Sequence, residues 1–188
     1  MTRTNRAAWA AHHRRGDVLR AVVDHADLHR DGLLPTHLPG VAETFRDETD
    51  LVATLQLRWH TRLAGRIDRA LLDQPADPES AVLTAWRSTA SELAGVRMIL
   101  DRAVADPATD ELATALHRAQ EKDWALMASM AGAGADGDAV RLGRAFEQRA
   151  RDGHDLTPAP RHRADTADVP DVTASGSLLG RLRAVLAA

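Results

Sequence analysis

What most constrains this chain is its shortage of residues that build strands. Of 188 residues only 12 are Val and 2 are Ile, Tyr is absent, and aromatic residues make up 3%. β-branched and aromatic side chains are the ones that suit a pleated, half-buried surface. The strong helix formers Ala (36) and Leu (23) dominate instead. The expectation is an all-α fold, a helical bundle of five or six helices.

Several function classes drop out early. The formal net charge is −3, so no global field draws the chain to nucleic acid, which is not an expected partner. Lys122 is the single lysine among 24 basic residues, a composition typical of a GC-rich bacterial genome. There is no Cys, which removes disulfides, thiolate metal sites and Cys nucleophiles together. The longest apolar stretch, Trp124 to Ala135, is too short for a transmembrane segment. The basic N-terminus has no apolar region of the secretory kind. A cytoplasmic location is the expectation, and no motif implies a cofactor.

Apolar spacing and breakers set the organisation. Asn5 and Asp17 are candidate caps, with a bend expected at Gly16. Residues 31–40 carry two Pro and two Gly and read as a loop. A long helix is expected over about 41–73, with Val52, Trp59, Leu63, Ile67 and Ala70 on one face and a short turn near Phe45–Asp47. Asp77-Pro78-Glu79 opens the next helix, and Gly95 is a candidate split within it. Thr109 caps a helix with Leu112, Leu116, Ala119, Leu126, Met127 and Met130 on its stripe. The last core helix carries Val140, Gly143, Phe146 and Ala150. The bundle domain spans 1–153. A flexible linker of low hydrophobicity follows over 154–176, then a short amphipathic tail segment over 177–188.

Three motifs carry less than they first suggest. Gly132-Ala-Gly134-Ala-Asp-Gly137 fits G-x-G-x-x-G, but no strand precedes it, so a phosphate has no strand-to-helix turn to sit on. Asp27-Leu-His29-Arg-Asp31-Gly32 opens like a Ca²⁺ loop, yet Leu38 stands where the bidentate Glu belongs. His25 and His29, four apart on a helix, have metal-ligand spacing, with His12, His13, Asp24 and Asp31 as possible additions. No Glu has a His three positions later, so a ferritin-like di-iron set is absent. The preferred reading of His25 and His29 is a favourable pair at a helix C-terminus, not a metal site.

Gln56 and His60 fall inside the apolar arc of the long helix, and Asp123 falls inside the arc of the Leu112–Met130 helix. A buried polar group without partners costs on the order of a few kcal/mol, so the three are expected to satisfy one another. Two readings stay open. A satisfied core network that fixes how two helices meet is the preferred one. In the other, Asp123 orients His60 as a general base or a ligand group, and His60, Asp123 and Gln56 are the candidate catalytic residues.

Arg58, Arg62, Arg66 and Arg69 lie along one flank of the long helix. With Asp50, Asp68 and Asp73 close by, the expectation is a solvated face with local ion pairs. The tail is more distinctive. Leu178, Leu179, Leu182, Val185 and Leu186 share one helical face behind a long linker, the arrangement of a docking peptide for a protein partner. Gly176-Ser177-Leu178 followed by Leu179-Gly180-Arg181-Leu182 resembles the terminal targeting peptides of proteins packed into bacterial encapsulin shells. That resemblance implies targeting to a larger assembly. The expected function is therefore a non-catalytic interaction or adaptor protein with a C-terminal docking peptide. The alternative is a small ligand-binding or enzymatic bundle using His60, Asp123 and Gln56.

Overall fold

A computed structural model describes residues 3–133, 138–152 and 154, with side chains from residue 13 onward. Every regular element among them is a helix: α1 (Arg3–His29), α2 (Val41–Thr44), α3 (Glu48–Asp73), α4 (Pro78–Glu92), α5 (Ala94–Ala105), α6 (Asp110–Met130) and α7 (Ala139–Asp152). The all-α class holds, with seven helices among the described residues in place of the expected five or six. The extra ones come from finer division: the turn before Phe45 is a separate one-turn helix, and the helix opened by Asp77 breaks in two. The linker and the tail residues Leu178, Leu179, Leu182, Val185 and Leu186 lie outside the described residues.

Local chemistry explains most of the boundaries. Asp47 caps α3 by accepting from the Asp50 N–H at 2.7 Å. Asp77 caps α4 from the Ser80 N–H at 3.1 Å, with Pro78 in the first turn, and Thr109 caps α6 from the Leu112 N–H at 3.1 Å. The bend expected at Gly16 does not break the helix; α1 runs through it. An isolated Gly inside a good helical sequence costs only about 1 kcal/mol, and a long helix absorbs that. Asp17 pairs with Arg20 at 3.1 Å instead of capping. The chain leaves α1 through Arg30, whose φ of 49° is left-handed, and Asp31 then accepts from the Leu33 N–H at 2.9 Å.

α3 lies at the centre and packs against α4, α5 and α6. Its buried face is Leu51, Val52, Leu55, Trp59, Leu63 and Ile67. Trp59 meets Trp86 of α4 edge-on at 5.8 Å. α7 packs on α6 and α4, and α1 packs on α5. Val140, expected on the buried stripe of α7, is exposed, whereas Phe146 and Ala150 are buried.

Two close crossings require glycine. The α4–α5 break falls at Leu93, not at Gly95. Gly95 is where α5 crosses α1, and a β-carbon there would collide with the backbone of Ala26. A β-carbon at Gly143 would collide with the backbone of Trp124 where α7 crosses α6. Asp27 reinforces the first crossing by accepting from the Gly95 N–H at 2.7 Å.

Candidate functional site

α3 and α6 bring Gln56, His60 and Asp123 together. Gln56 donates from Nε2 to Asp123 Oδ2 at 3.0 Å. His60 Nδ1 lies 2.5 Å from Asp123 Oδ1. Gln56 and Asp123 are buried, while the His60 side chain keeps 39% of its surface exposed. One turn of α3 separates Gln56 from His60, so each reaches a different oxygen of one carboxylate.

The electrostatics favour a reactive carboxyl more than a locked one. Burial pushes the Asp123 carboxyl above its usual range. Hydrogen bonds from His60 and Gln56 and the charge of Arg97 pull the other way without overcoming it. When Asp123 is ionised, the His60 Nδ1–H donates to it, and Nε2 becomes the ring's remaining acceptor. No hydrogen bond from the described residues occupies that nitrogen.

The trio sits at one end of a cleft of about 400 Å³ between α3 and α6. Its walls are mostly small or apolar: Ala53 and Leu57 from α3, and Leu112, Ala115, Leu116 and Ala119 from α6. Lys122 stands beside the trio, and Thr49 lies at the other end of α3's contribution. Leu57 is exposed at 64%, unusual for a Leu beside a core. Thr49 is eleven residues from His60, about 16 Å along the helix, so it is no nucleophile for the His60–Asp123 pair. The pair is therefore equipped to accept a proton from a bound hydroxyl or water, not to activate a side-chain nucleophile.

His25 and His29 do share a helix side, with rings stacked at 3.9 Å. His12 and His13 do not fold back toward them, because α1 is continuous and about 18 Å of helix intervenes. His37, from the loop, joins them instead, its ring 5.1 Å from His25. Only tertiary folding reveals that third ring. The stacked rings do not converge on a common point, and among the described residues no three His, Asp or Glu side chains are set to hold a metal.

A different polar network was not legible in the sequence. Arg151 donates to both oxygens of Asp101, at 3.0 and 2.8 Å, and to Glu147 at 2.9 and 2.6 Å. Glu147 also accepts from the Trp124 indole N–H. Buried Arg97 donates from Nε to Asp101 at 3.1 Å and lies over the Trp59 ring at 4.7 Å. Its Nη2 is 2.9 Å from the same Asp101 oxygen, an ion-pair contact with no N–H aimed along it. This network ties α5, α6 and α7 together.

No protein-family model matches the chain, and neither does a curated protein or a solved structure. Among the described residues no helix is long and apolar enough to cross a membrane.

Proposed function

We propose that this bundle binds a small, elongated, mainly apolar molecule in the α3/α6 cleft, with a hydroxyl at one end held by His60. One observation carries the reading: a titratable pair, His60 on a buried Asp123, terminates a cleft whose other walls are mostly Ala and Leu, with Lys122 beside the pair and Thr49 at the far end. Apolar clefts of this size with a few convergent polar groups are the usual form of a small-molecule site. Asp123 fixes the imidazole tautomer, Gln56 fixes Asp123, and His60 Nε2 accepts the ligand's proton donor. The same geometry suits general-base chemistry on that hydroxyl, which is the enzymatic form of the proposal.

The test is thermal unfolding and calorimetric titration with n-decanol, on the natural chain and on His60→Ala. Binding to the natural chain, lost in a variant that unfolds at nearly the same temperature, supports the reading. A variant that loses several degrees, with decanol bound to neither protein, returns the trio to a structural core. The adaptor role of the tail is a separate proposal that rests on its sequence pattern. It is tested by comparing the proteins captured by the full chain with those captured by a chain ending at Ser175.

A further inference from the structure

A second concave surface lies on the opposite flank of α3, and Leu57 borders both. It encloses about 780 Å³ between α1, α3 and the α4–α5 break. The arginine flank does form local ion pairs, through Arg62 and Arg66, but with Glu92 and not with the nearby Asp residues. Asp50 is drawn away to Arg15 and Arg46, and neither Asp68 nor Asp73 lines the groove. Glu92 is the one carboxylate among its lining residues, against Arg58, Arg62, Arg66 and Arg69. Four guanidinium groups facing one carboxylate leave an excess of three positive charges in a concave space.

The four are not equivalent. Glu92 Oε2 accepts from Arg62 Nε at 2.9 Å and from Arg66 Nε at 3.2 Å, and Arg62 Nη2 forms an ion pair with Glu92 Oε1 at 2.6 Å. Arg66 also reaches Ser88 Oγ at 2.5 Å. These two are fixed in place before any ligand arrives, which lowers the ordering cost of binding. Arg58 and Arg69 make no hydrogen bond or ion pair with the described residues. Asp27, outside the lining and bonded through Oδ1 to the Gly95 N–H, offsets Arg58 in part by its charge without pairing with it. Gly65 leaves the floor between Arg62 and Arg66 open, since a β-carbon there would meet nothing within 4 Å.

We infer that this groove binds a phosphate-bearing small molecule. Arg58 and Arg69 take its phosphoryl oxygens, and Arg62 and Arg66 supply a fixed positive field. A positive excess of at least two charges, Asp27 included, calls for a multiply charged anion, and the planar guanidinium fork matches phosphate geometry. Leu19 and Leu93 offer an apolar wall for the rest of the molecule. The volume lies in the range of small-molecule sites, and the chain's net charge of −3 gives no long-range attraction for a nucleic acid. The site is independent of the α3/α6 cleft.

The experiment is calorimetric titration of the full chain with inorganic pyrophosphate. The double variant Arg58→Gln/Arg69→Gln is expected to weaken binding by at least about tenfold, since each lost charge-assisted hydrogen bond carries that order of free energy. Its unfolding temperature should be unchanged, because neither side chain supports the fold. Arg118→Gln, an exposed arginine on α6 outside the groove, should bind like the natural chain. Absence of pyrophosphate binding overturns the inference. So does equal binding by the double variant, or an equal loss in Arg118→Gln. Tighter binding of a short DNA duplex than of pyrophosphate, lost in the double variant, overturns it in favour of a nucleic-acid surface.

Discussion

Asp101 and Asp123 are both helix carboxylates turned toward the interior, and Arg97 acts on both, yet their carboxyl groups shift in opposite directions. Burial raises each. At Asp101, hydrogen bonds from Arg151 and the charges of Arg97 and Arg151 outweigh it, and the carboxyl ends below its usual range. At Asp123 the close partners are an imidazole and an amide, burial prevails, and the carboxyl ends above its usual range. The number of fixed guanidinium charges in contact separates the two. A carboxylate held by permanent charges acts as a staple. One held by a titratable ring at the edge of a cleft keeps proton chemistry available.

The largest expected effect falls on the staple. Arg151→Ala strands Asp101 and the well-buried Glu147 without their main counter-charge and removes the side-chain bridge from α7 to α5. Because Arg151 and Asp101 keep 29% and 34% of their side-chain surface, the cost lies between that of an exposed and a buried pair, about 2 kcal/mol, read as a fall in the urea midpoint at unchanged slope. Asp123→Asn should cost less than about 1 kcal/mol at neutral pH, because Gln56 keeps an acceptor and a disfavoured charge is removed. If the two costs come out equal, the distinction between staple and site fails.

The two regions were not equally legible from the sequence. Gln56, His60 and Asp123 stood out because each is a polar residue inside an apolar helical arc, and mutual satisfaction is the cheapest way to bury them. Asp77 and Thr109 were legible as caps because capping is local. Asp101 and Arg151 gave no such signal. They are fifty residues apart, and nothing local says that a side chain of α7 reaches α5. The crossings at Gly95 and Gly143 were hidden for the same reason. A close backbone approach belongs to a pair of helices, whereas a glycine in a sequence reads only as a weak point. Gly16 shows the converse error, a local weakness that the rest of α1 overrode.

The opposite shifts predict opposite pH dependences. Asp101's folded value lies below its unfolded one, so its stabilisation is present above the ordinary carboxylate range and is lost as pH falls through the folded value. Asp123's folded value lies above its unfolded one, so its contribution is full below the ordinary range and is lost as pH rises through the folded value. Denaturant titrations from about pH 3 to about pH 7 should therefore show the deficit of Asp101→Asn growing toward neutrality. The deficit of Asp123→Asn should shrink over the same interval. Carrying out the Asp123 arm in a His60→Gln background removes the imidazole and leaves Arg97 and Lys122 as the nearby charges. Parallel slopes for the two carboxylates would contradict the assignment of counter-charge made here.

The smallest effect on stability is expected at Ala119, and it tests the cleft most directly. Ala119→Phe places a ring in the space between α3 and α6 without touching the His60–Asp123 contact. Phe is a poorer helix former than Ala by about 0.5 kcal/mol, and covering the apolar walls returns a similar amount, so stability should stay within about 0.5 kcal/mol. Decanol binding should nevertheless disappear, because the ring occupies the ligand's volume. The staple variant is expected to do the reverse, losing stability while the natively folded fraction still binds. A cleft variant that binds as well as the natural chain would mean that the space between α3 and α6 is not where the ligand goes, whatever His60→Ala does. Only loss of binding in both His60→Ala and Ala119→Phe, with stability kept in both, places the polar head and the apolar body of one molecule in the same cleft.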